Sequence, residues 1–189
     1  PAQSSYTVSV GNDVDAITLT PNASDPDATI TVAGNAVPSG SASAPVALPV
    51  GTTTIAVVVT AADGTTQQYA VAVTRAASSD AQLSALSVSE GALNPAFDPT
   101  QSSYTVSVGN DVDTITLTPT ASDAAATITV AGNAVASGSA SAPVALPVGT
   151  TTIEVVVTAA DGTTQQYTVA VTRAASSDAQ LSALSVSEG

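Results

Sequence analysis

Apolar and small polar residues alternate along most of this chain with a period of two. In the second half, Tyr104, Val106 and Val108 are separated by Thr and Ser, and residues 153–157 and 167–171 follow the same rule. Such alternation is typical of β-strands that bury one face, and the β-branched Val, Ile and Thr favour an extended backbone. No helical period runs through the sequence. The pattern therefore predicts an all-β protein.

Turn-forming residues separate the alternating stretches. Gly132-Asn133 and Asp161-Gly162 are dipeptides typical of tight hairpin turns. Further bends are expected at Asn94-Pro95, Gly109–Asp111 and Pro119. Turns every 8–15 residues or so, with about seven strands per repeat, are typical of a β-sandwich. We also expect Phe97 to close one end of that sandwich.

The chain repeats itself with an offset of 98 residues, from Tyr6 to Tyr104. An interval of this length corresponds to one small domain. Residues 1–91 and 99–189 differ at eight aligned positions, none of which is a predicted inward position. Three differences lie beside inward residues, namely Ala16/Thr114, Ala56/Glu154 and Ala70/Thr168. The other five are assigned to loops: Ala2/Thr100, Asn22/Thr120, Pro26/Ala124, Asp27/Ala125 and Pro38/Ala136.

The repeat is out of step with the ends of the sequence. A complete copy is predicted at 81–173 and opens with Leu83–Val88, whereas the copy at 1–80 has no counterpart of that segment here. The same residues return within 174–189, which we predict to be a linker and the first strand of a further repeat. Because the sequence starts in mid-pattern, we take it as a segment of a longer protein. We expect the last strand to complete the first sandwich of a neighbouring copy through Leu181, Ala183, Leu184 and Val186.

The charge balance excludes several classes of function. The chain has 15 acidic and 2 basic residues and a formal net charge of −13. Its basic residues, Arg75 and Arg173, cannot neutralise a nucleic-acid backbone or bind an anionic membrane surface. No apolar stretch predicts insertion into a membrane. The acidic surface is expected to keep neighbouring fibres soluble by repulsion, with adaptation to high salt as an alternative.

Residues that carry catalytic chemistry are scarce. His and Cys are absent, which excludes Ser-His or Cys-His nucleophiles and the common zinc sites. Without lysine, a Lys–Asn isopeptide cross-link is impossible. The carboxylates lie in repeated turns without an aromatic platform for a sugar, so glycoside hydrolysis is not expected. The sequence therefore predicts no catalytic residue and no enzyme.

Calcium is the cofactor that the sequence leaves open. Its candidate ligands are clustered in one turn and in the repeat of that turn: Asn12, Asp13, Asp15, Asn110, Asp111 and Asp113. Calcium takes six to eight oxygen ligands, so one turn is not enough unless other loops converge on it. The favoured alternative is that these side chains accept hydrogen bonds from the backbone of their own turn.

Several segments of the second copy form a characteristic set. Leu83–Pro99 carries the pattern Leu-Ser-x-Leu-x-Val-Ser-x-Gly-x-Leu-x-Pro-x-Phe-Asp-Pro. It is followed by Ser103–Val106, Val148–Ile153, Val157–Thr163 and Tyr167–Arg173. Together these segments resemble the cadherin-like β-sandwich domain found in tandem in bacterial surface and secreted proteins. The resemblance covers the second copy and all of the first copy except its missing strand. It implies an immunoglobulin-like sandwich, an extracellular setting and a spacer or adhesive role, without catalytic residues.

These observations predict a structural segment of an extracellular bacterial fibre, filament or adhesin stalk. Its partners are expected to be neighbouring repeats or identical chains, joined head-to-tail with strand complementation between units. The alternative is an adhesion module that binds a glycan or a protein. Under the structural hypothesis, a surface glycan or host ligand is bound elsewhere in the parent protein.

Overall fold

The computed structural model describes residues 3–186, which form β-strands joined by turns and loops. Within that range no helix is long and apolar enough to cross a lipid bilayer. The chain divides into two compact units, Pro1–Ser78 and Ser79–Gly189. Each unit has its own cluster of buried apolar side chains. The prediction of tandem all-β sandwiches is confirmed.

The first unit is built on a mixed five-stranded sheet with the order β1-β7-β6-β3-β4. Strand β1 runs parallel to β7, and the other pairs in this sheet are antiparallel. A short pair, β2 with β5, belongs to a second layer. The strands are β1 (Ser5–Val10), β2 (Ala16–Ile17), β3 (Thr29–Val32), β4 (Asn35–Ala36), β5 (Val46–Ala47), β6 (Gly51–Thr60) and β7 (Thr66–Arg75).

The second unit repeats this arrangement and adds one strand pair. Its main sheet has the order β13-β12-β15-β16-β9, with β9 parallel to β16, and β10 pairs with β14. The additional pair is β8 with β11. The strands are β8 (Leu83–Val88), β9 (Ser103–Val108), β10 (Thr114–Ile115), β11 (Leu117–Ala121), β12 (Thr127–Val130), β13 (Asn133–Val135), β14 (Val144–Ala145), β15 (Gly149–Thr158) and β16 (Thr164–Arg173).

The predicted inward face is the buried face. Ile153, Val155 and Val157 of β15 are at most 1% exposed, while Glu154 between them is exposed. In the second unit none of the eight variable positions is buried. Ala2, the partner of Thr100, lies outside the described residues. The period-two alternation therefore predicted the correct phase, because a one-residue slip would have placed Glu154 in the core.

Two local predictions were wrong. Pro119 and Thr120 were assigned to a bend and a loop, but both lie inside β11. Proline fits there because the neighbouring N–H groups on its side of the strand bond to serine hydroxyls of residues 137 and 141, not to a β-strand. The hairpin between β12 and β13 turns on Ala131-Gly132, both with positive φ (48° and 80°), and Asn133 is the first residue of β13.

Candidate functional site

Strand β8 covers one side of the core in the second unit. Leu83 is 0% exposed and Leu86 is 5% exposed, and both belong to the main apolar cluster. The Leu83 N–H donates a hydrogen bond to the Tyr167 hydroxyl at 3.0 Å. β8 thus closes the core with its side chains and also provides a backbone partner for a buried tyrosine.

The β8 strand pairs antiparallel with β11 in a defined register. Leu117 faces Val88, Pro119 faces Leu86, and Ala121 faces Leu83, with a bulge between Thr120 and Ala121. The ladder is extended at both ends, because Ser122 N–H bonds to the Gln82 carbonyl at 2.9 Å and Ser89 N–H bonds to the Thr116 carbonyl at 3.0 Å. Leu83–Val88 is therefore an integral strand of the second unit.

The loop after β8 covers the remaining part of this face. Phe97 packs against the core, and its ring stacks on Tyr104 with a centroid distance of 5.9 Å. The Tyr104 hydroxyl donates to the Asp98 carbonyl at 2.7 Å. Burial raises the pKa of Tyr104 above its ordinary value of 10.0. Phe97 thus packs against the core, and its closing of one end of the sandwich stays a prediction.

The equivalent face of the first unit is an open groove of about 590 Å³. We call it the acceptor groove and define it by its apolar lining: Leu19, Pro21, Ile30, Val57, Val59 and Tyr69. Tyr6, which also lines the groove, and Val8 are each 38% exposed, whereas Tyr104 and Val106, their counterparts in the second unit, are each 2% exposed. The difference arises because none of residues 3–186 occupies the position of β8 and its following loop in the first unit.

The outer edge of the acceptor groove is an unpaired stretch of backbone, residues 19–23. Its inner side is fixed, since Ser43 N–H bonds to the Leu19 carbonyl and Gly40 N–H bonds to the Pro21 carbonyl, both at 2.8 Å. Backbone groups of alternate residues in an extended chain point to opposite sides. Thr20 and Asn22 therefore direct their N–H and C=O groups outwards, where residues 3–186 offer them no β-partner.

The chain also contains a second, uncovered copy of the β8 sequence. We call residues 181–186 the donor segment, and it repeats Leu83–Val88 letter for letter. Leu181, Leu184 and Val186 are 77%, 83% and 90% exposed. The assembly residues that were predicted from the sequence thus lie in this segment, and their partner remains a prediction.

Two of the three calcium candidates in the first unit take part in hydrogen bonds that tie the unit together, Asn12 through its side chain and Asp15 through its backbone. The Asn12 amide donates to the Ala76 carbonyl at 3.1 Å, and the Asp15 carbonyl accepts from Leu48 N–H at 2.7 Å. The Asp13 carboxylate lies back over its own turn, where its Oδ1 is 2.5 Å from the position of a Cβ on Gly11.

The same bonds recur in the second unit. The Asn110 amide donates to the Ala174 carbonyl at 3.0 Å, the Asp113 carbonyl accepts from Leu146 N–H at 2.8 Å, and Asp111 lies over Gly109 as Asp13 lies over Gly11. Among residues 3–186, no three His, Cys, Asp or Glu side chains are close enough together to hold a metal ion. Calcium binding by these turns stays a prediction.

Each unit's arginine has a structural role that sequence reasoning missed. In the first unit the Arg75 guanidinium donates through Nε and Nη2 to the Asn12 carbonyl, and through Nη1 to the Leu48 carbonyl at 2.8 Å. Arg173 makes the same bonds to Asn110 and Leu146. The last strand is thereby tied to two loops. The available signal was the recurrence of the chain's two cations at one repeat position.

Exposed aspartates stabilise the hairpin turns and loops. Asp63 Oδ1 accepts from the Thr65 N–H at 2.9 Å, and Asp161 Oδ1 accepts from the Thr163 N–H at 2.8 Å. These backbone bonds lower the pKa of both carboxyls below the ordinary value of 3.8. The pKa of Asp98 is lowered as well, mainly by the hydrogen bond from the Thr100 hydroxyl and secondly by the bond from the Thr100 N–H. Such bonds favour the ionised carboxylate at neutral pH.

Comparisons with known proteins agree with this architecture. The family model of the cadherin-like beta sandwich domain matches residues 1–76 and 83–174. A curated protein of Evansella cellulosilytica, named "Putative membrane protein", is 43% identical over 97 residues, which are 51% of this chain and 15% of that protein's length.

The solved structures that the chain matches are much more distant in sequence. Protocadherin Gamma B2 extracellular cadherin domains 3–6 have 11% identity and a TM-score of 0.41, covering 91% of this chain and 46% of that one. Drosophila N-cadherin EC1-3 has 11% identity and a TM-score of 0.46, covering 88% and 63%.

Proposed function

Because this chain belongs to the cadherin-like β-sandwich family, we propose that it is a non-enzymatic structural segment of a bacterial extracellular fibre or adhesin stalk. The β-sandwich of this family is a structural and adhesive fold that typically lies outside the cell. One observation carries the finer proposal. The two units differ at only eight aligned positions, and none of these positions is buried in the second unit.

Near identity of the units favours a repeated mechanical task. A spacer needs every unit to fold in the same way, but it tolerates amino-acid substitutions outside the core. The eight differences follow this distribution, because none is buried in the second unit. A recognition surface would instead need one unit to carry groups that the other lacks. Four substitutions add a polar or charged group in the second unit, namely Thr100, Thr114, Glu154 and Thr168. Glu154 and Thr168 face each other across β15 and β16, whereas Thr114 lies on β10 and Thr100 in a loop, so the added groups include one pair of neighbours.

The sheet geometry supports a role under tension. After its first strand, β8, the second unit continues through β9, which lies parallel to the last strand, β16, with six residue pairs in register. In a parallel pair, the start of one strand and the end of the other lie at opposite ends of the ladder. Pulling them apart therefore loads all the backbone hydrogen bonds together in shear, and β1 with β7 has the same geometry in the first unit.

The composition suits long exposure outside a cell. The chain has no Cys or Met, so it offers no side chain that is readily oxidised at sulfur. It has two basic residues, so trypsin-like proteases have few places to cut. Both are partly protected here, since Arg75 and Arg173 are half-buried and hydrogen-bonded.

Single-molecule pulling of the second unit in two directions tests the mechanical proposal. Cysteine handles at Ser102 and Ala174 load β9 against β16 in shear, and the absence of native cysteine makes the attachment specific. Thr150 and Thr172 are opposite each other in the β15–β16 hairpin, so handles at these two positions pull across the ladder and break its hydrogen bonds one after another. We expect a several-fold higher rupture force in shear. Equal forces, or extension without a force peak in either direction, would contradict a mechanical role for this fold.

A further inference from the structure

We propose that the acceptor groove of the first unit binds the donor segment, residues 181–186, of a second copy of this chain as an added β-strand. The inference rests on the head-to-tail structural role proposed above and names the contact that joins the copies. The second unit defines the register, because β8 and β11 show how this sequence pairs. Transferred by the 98-residue repeat, that register places Leu19 opposite Val186, Pro21 opposite Leu184, and Ala23 opposite Leu181.

The second unit already shows nearly the same two sequences paired, as β8 and β11. The donor segment repeats the sequence of β8, and residues 19–23 differ from β11 only by Asn22 in place of Thr120. Residue 120 is not among the buried side chains of the second unit, so the exchange leaves the apolar lining unchanged. Every other side chain that meets β8 across this ladder in the second unit is therefore available in the acceptor groove.

The acceptor edge is preorganised for a strand. Serine hydroxyls of residues 39 and 43 accept hydrogen bonds from Ala23 N–H and Leu19 N–H at 2.9 and 3.0 Å, as their counterparts do beside β11. The backbone of residues 19–23 is thus held from behind. The outward groups of Thr20 and Asn22 are presented to a new partner, as in β-strand addition to an exposed sheet edge.

The donor segment is introduced by the same turn as β8. Asp178 Oδ1 accepts a hydrogen bond from Gln180 N–H at 2.8 Å, and Asp80 Oδ1 accepts one from Gln82 N–H at 2.9 Å. The donor segment leaves this turn with its leucines exposed, whereas those of β8 are buried. The Tyr69 hydroxyl corresponds to that of Tyr167, so it is placed to accept from Leu181 N–H as Tyr167 accepts from Leu83 N–H.

The contact is heterologous and therefore open-ended. Among residues 3–186, each copy offers one acceptor groove and one uncovered donor segment, so every joined pair leaves a free groove at one end and a free segment at the other. Such head-to-tail contacts build filaments when the rotation between copies does not close a ring.

Cysteine pairing tests the register directly, because the chain has no native cysteine. The variant with Asn22→Cys and Ala183→Cys places one thiol on each side of the proposed ladder, at the position where Thr120 faces Ala85 in the second unit. Directly opposed β-residues are close enough for a disulfide. We expect oxidation of this variant to give covalent dimers and longer chains. The separate variant with Thr120→Cys and Ala85→Cys should form a disulfide within one molecule and no dimers.

An off-register control separates strand pairing from random collision. Moving the second thiol from Ala183 to Ser185 keeps it on the outward face but places it opposite Thr20 and not opposite residue 22, because Ser87 faces Thr118 in the second unit. Diagonal neighbours across a ladder lie about 7–8 Å apart, which is too far for a disulfide. We therefore expect cross-linking to fall at least tenfold in the variant with Asn22→Cys and Ser185→Cys. Equal cross-linking of the two variants overturns the proposed register. A disulfide within one copy overturns a second copy as the occupant.

Matched charge substitutions test the same contact without cysteine. Leu184→Asp would place a carboxylate opposite Pro21, whereas Ser185→Asp adds the same charge on the outward face that Ser87 occupies in β8. In sedimentation velocity, Leu184→Asp is expected to weaken association by a factor on the order of 100 or more, and Ser185→Asp by less than about tenfold. Equal weakening overturns the proposal.

These experiments are independent of the mechanical test. If the units resist shear but no cross-link forms, the structural role stands and strand addition between copies is wrong. If cross-links form in register but the units yield without resistance to force, strand addition between copies stands and the mechanical role is wrong.

Discussion

Two leucines with identical sequence surroundings are expected to respond very differently to truncation. Leu83 and Leu181 occupy the same position of the repeat, but Leu83 is 0% exposed in the core and Leu181 is 77% exposed. Leu83→Ala removes buried methyl groups and leaves a cavity, whereas Leu181→Ala changes only a solvated side chain. The structure therefore predicts a large loss of stability for the first variant and almost none for the second.

The expected magnitude follows from burial. Replacing a fully buried leucine by alanine costs about 2–5 kcal/mol, depending on how far the surroundings collapse. The backbone bond from Leu83 N–H to Tyr167 is unaffected by the change of side chain, so the cost comes from packing alone. For Leu181→Ala, measured on dilute and unassociated chain, we expect less than about 0.5 kcal/mol.

Tyrosine fluorescence provides an assay that reports on the second unit alone. The chain has no Trp and four Tyr, so replacing Tyr6 and Tyr69 by Phe leaves Tyr104 and Tyr167 as its fluorescent reporters. Urea denaturation in that background gives the free energy of unfolding of the second unit. Equal effects of the two truncations, or a change below about 0.5 kcal/mol for Leu83→Ala, would refute the assignment of Leu83–Val88 as an integral strand.

Three further outcomes are expected. Arg173→Gln removes the guanidinium bonds to two backbone carbonyls, which should lower the free energy of unfolding of the second unit by about 1.5–3 kcal/mol in the same urea assay. Gly91→Ala should lower the melting temperature more than Gly132→Ala, since both glycines have positive φ (74° and 80°) but only a Cβ at 91 would meet neighbouring atoms, at 2.8 and 2.9 Å; equal losses would mean that the close approach is not rigid. The lowered pKa values of Asp63 and Asp161 contribute stability above their unfolded value of 3.8, and it is lost as pH falls through the lower folded-state values. Replacing both by Asn should reduce the loss of melting temperature as pH falls below the unfolded value of 3.8, and an unchanged profile would contradict the turn bonds.

Much of the fold was predictable because the repeat duplicates every pattern. Period-two alternation predicted which residues of β15 and β16 point inwards. The exchange of Ala56 for Glu154 between the copies agrees with an outward position, because a carboxylate is tolerated there. The repeat also revealed that residues 181–186 have the same sequence as Leu83–Val88 but no evident partner, and in the structure only Leu83–Val88 forms a β-strand. These features depend on local sequence, and local sequence was sufficient to predict them.

Other features depended on neighbours that are distant in sequence. Pro119 suggests a bend by itself, but its place in β11 is set by serine residues about twenty positions later that bond to the side of the strand where proline lies. The Ala131-Gly132 turn was misassigned by one residue because Gly-Asn is also a good turn dipeptide. The tether formed by Arg173 joins residues 63 positions apart, a contact that no local pattern shows.

The acceptor groove itself was foreseen only as a missing strand. The sequence indicated that the first copy has no counterpart of β8, and the structure adds that the edge stays extended and held from behind by Ser39 and Ser43. Tyr6 and Val8 are each 38% exposed there, whereas Tyr104 and Val106 are each 2% exposed in the second unit. Under the proposal, an added strand would cover these side chains.

Hydrogen exchange of residues 19–23 as a function of protein concentration tests the central claim most directly. Asn22, Pro26 and Asp27 distinguish peptides of the first unit from those of the second. We predict that the amides of Thr20 and Asn22 exchange freely in dilute chain and become as protected as those of Thr118 and Thr120 when the chain associates. That protection should be lost in a chain ending at Asp178. Protection that does not change with concentration, or that persists without the donor segment, would contradict strand addition between copies.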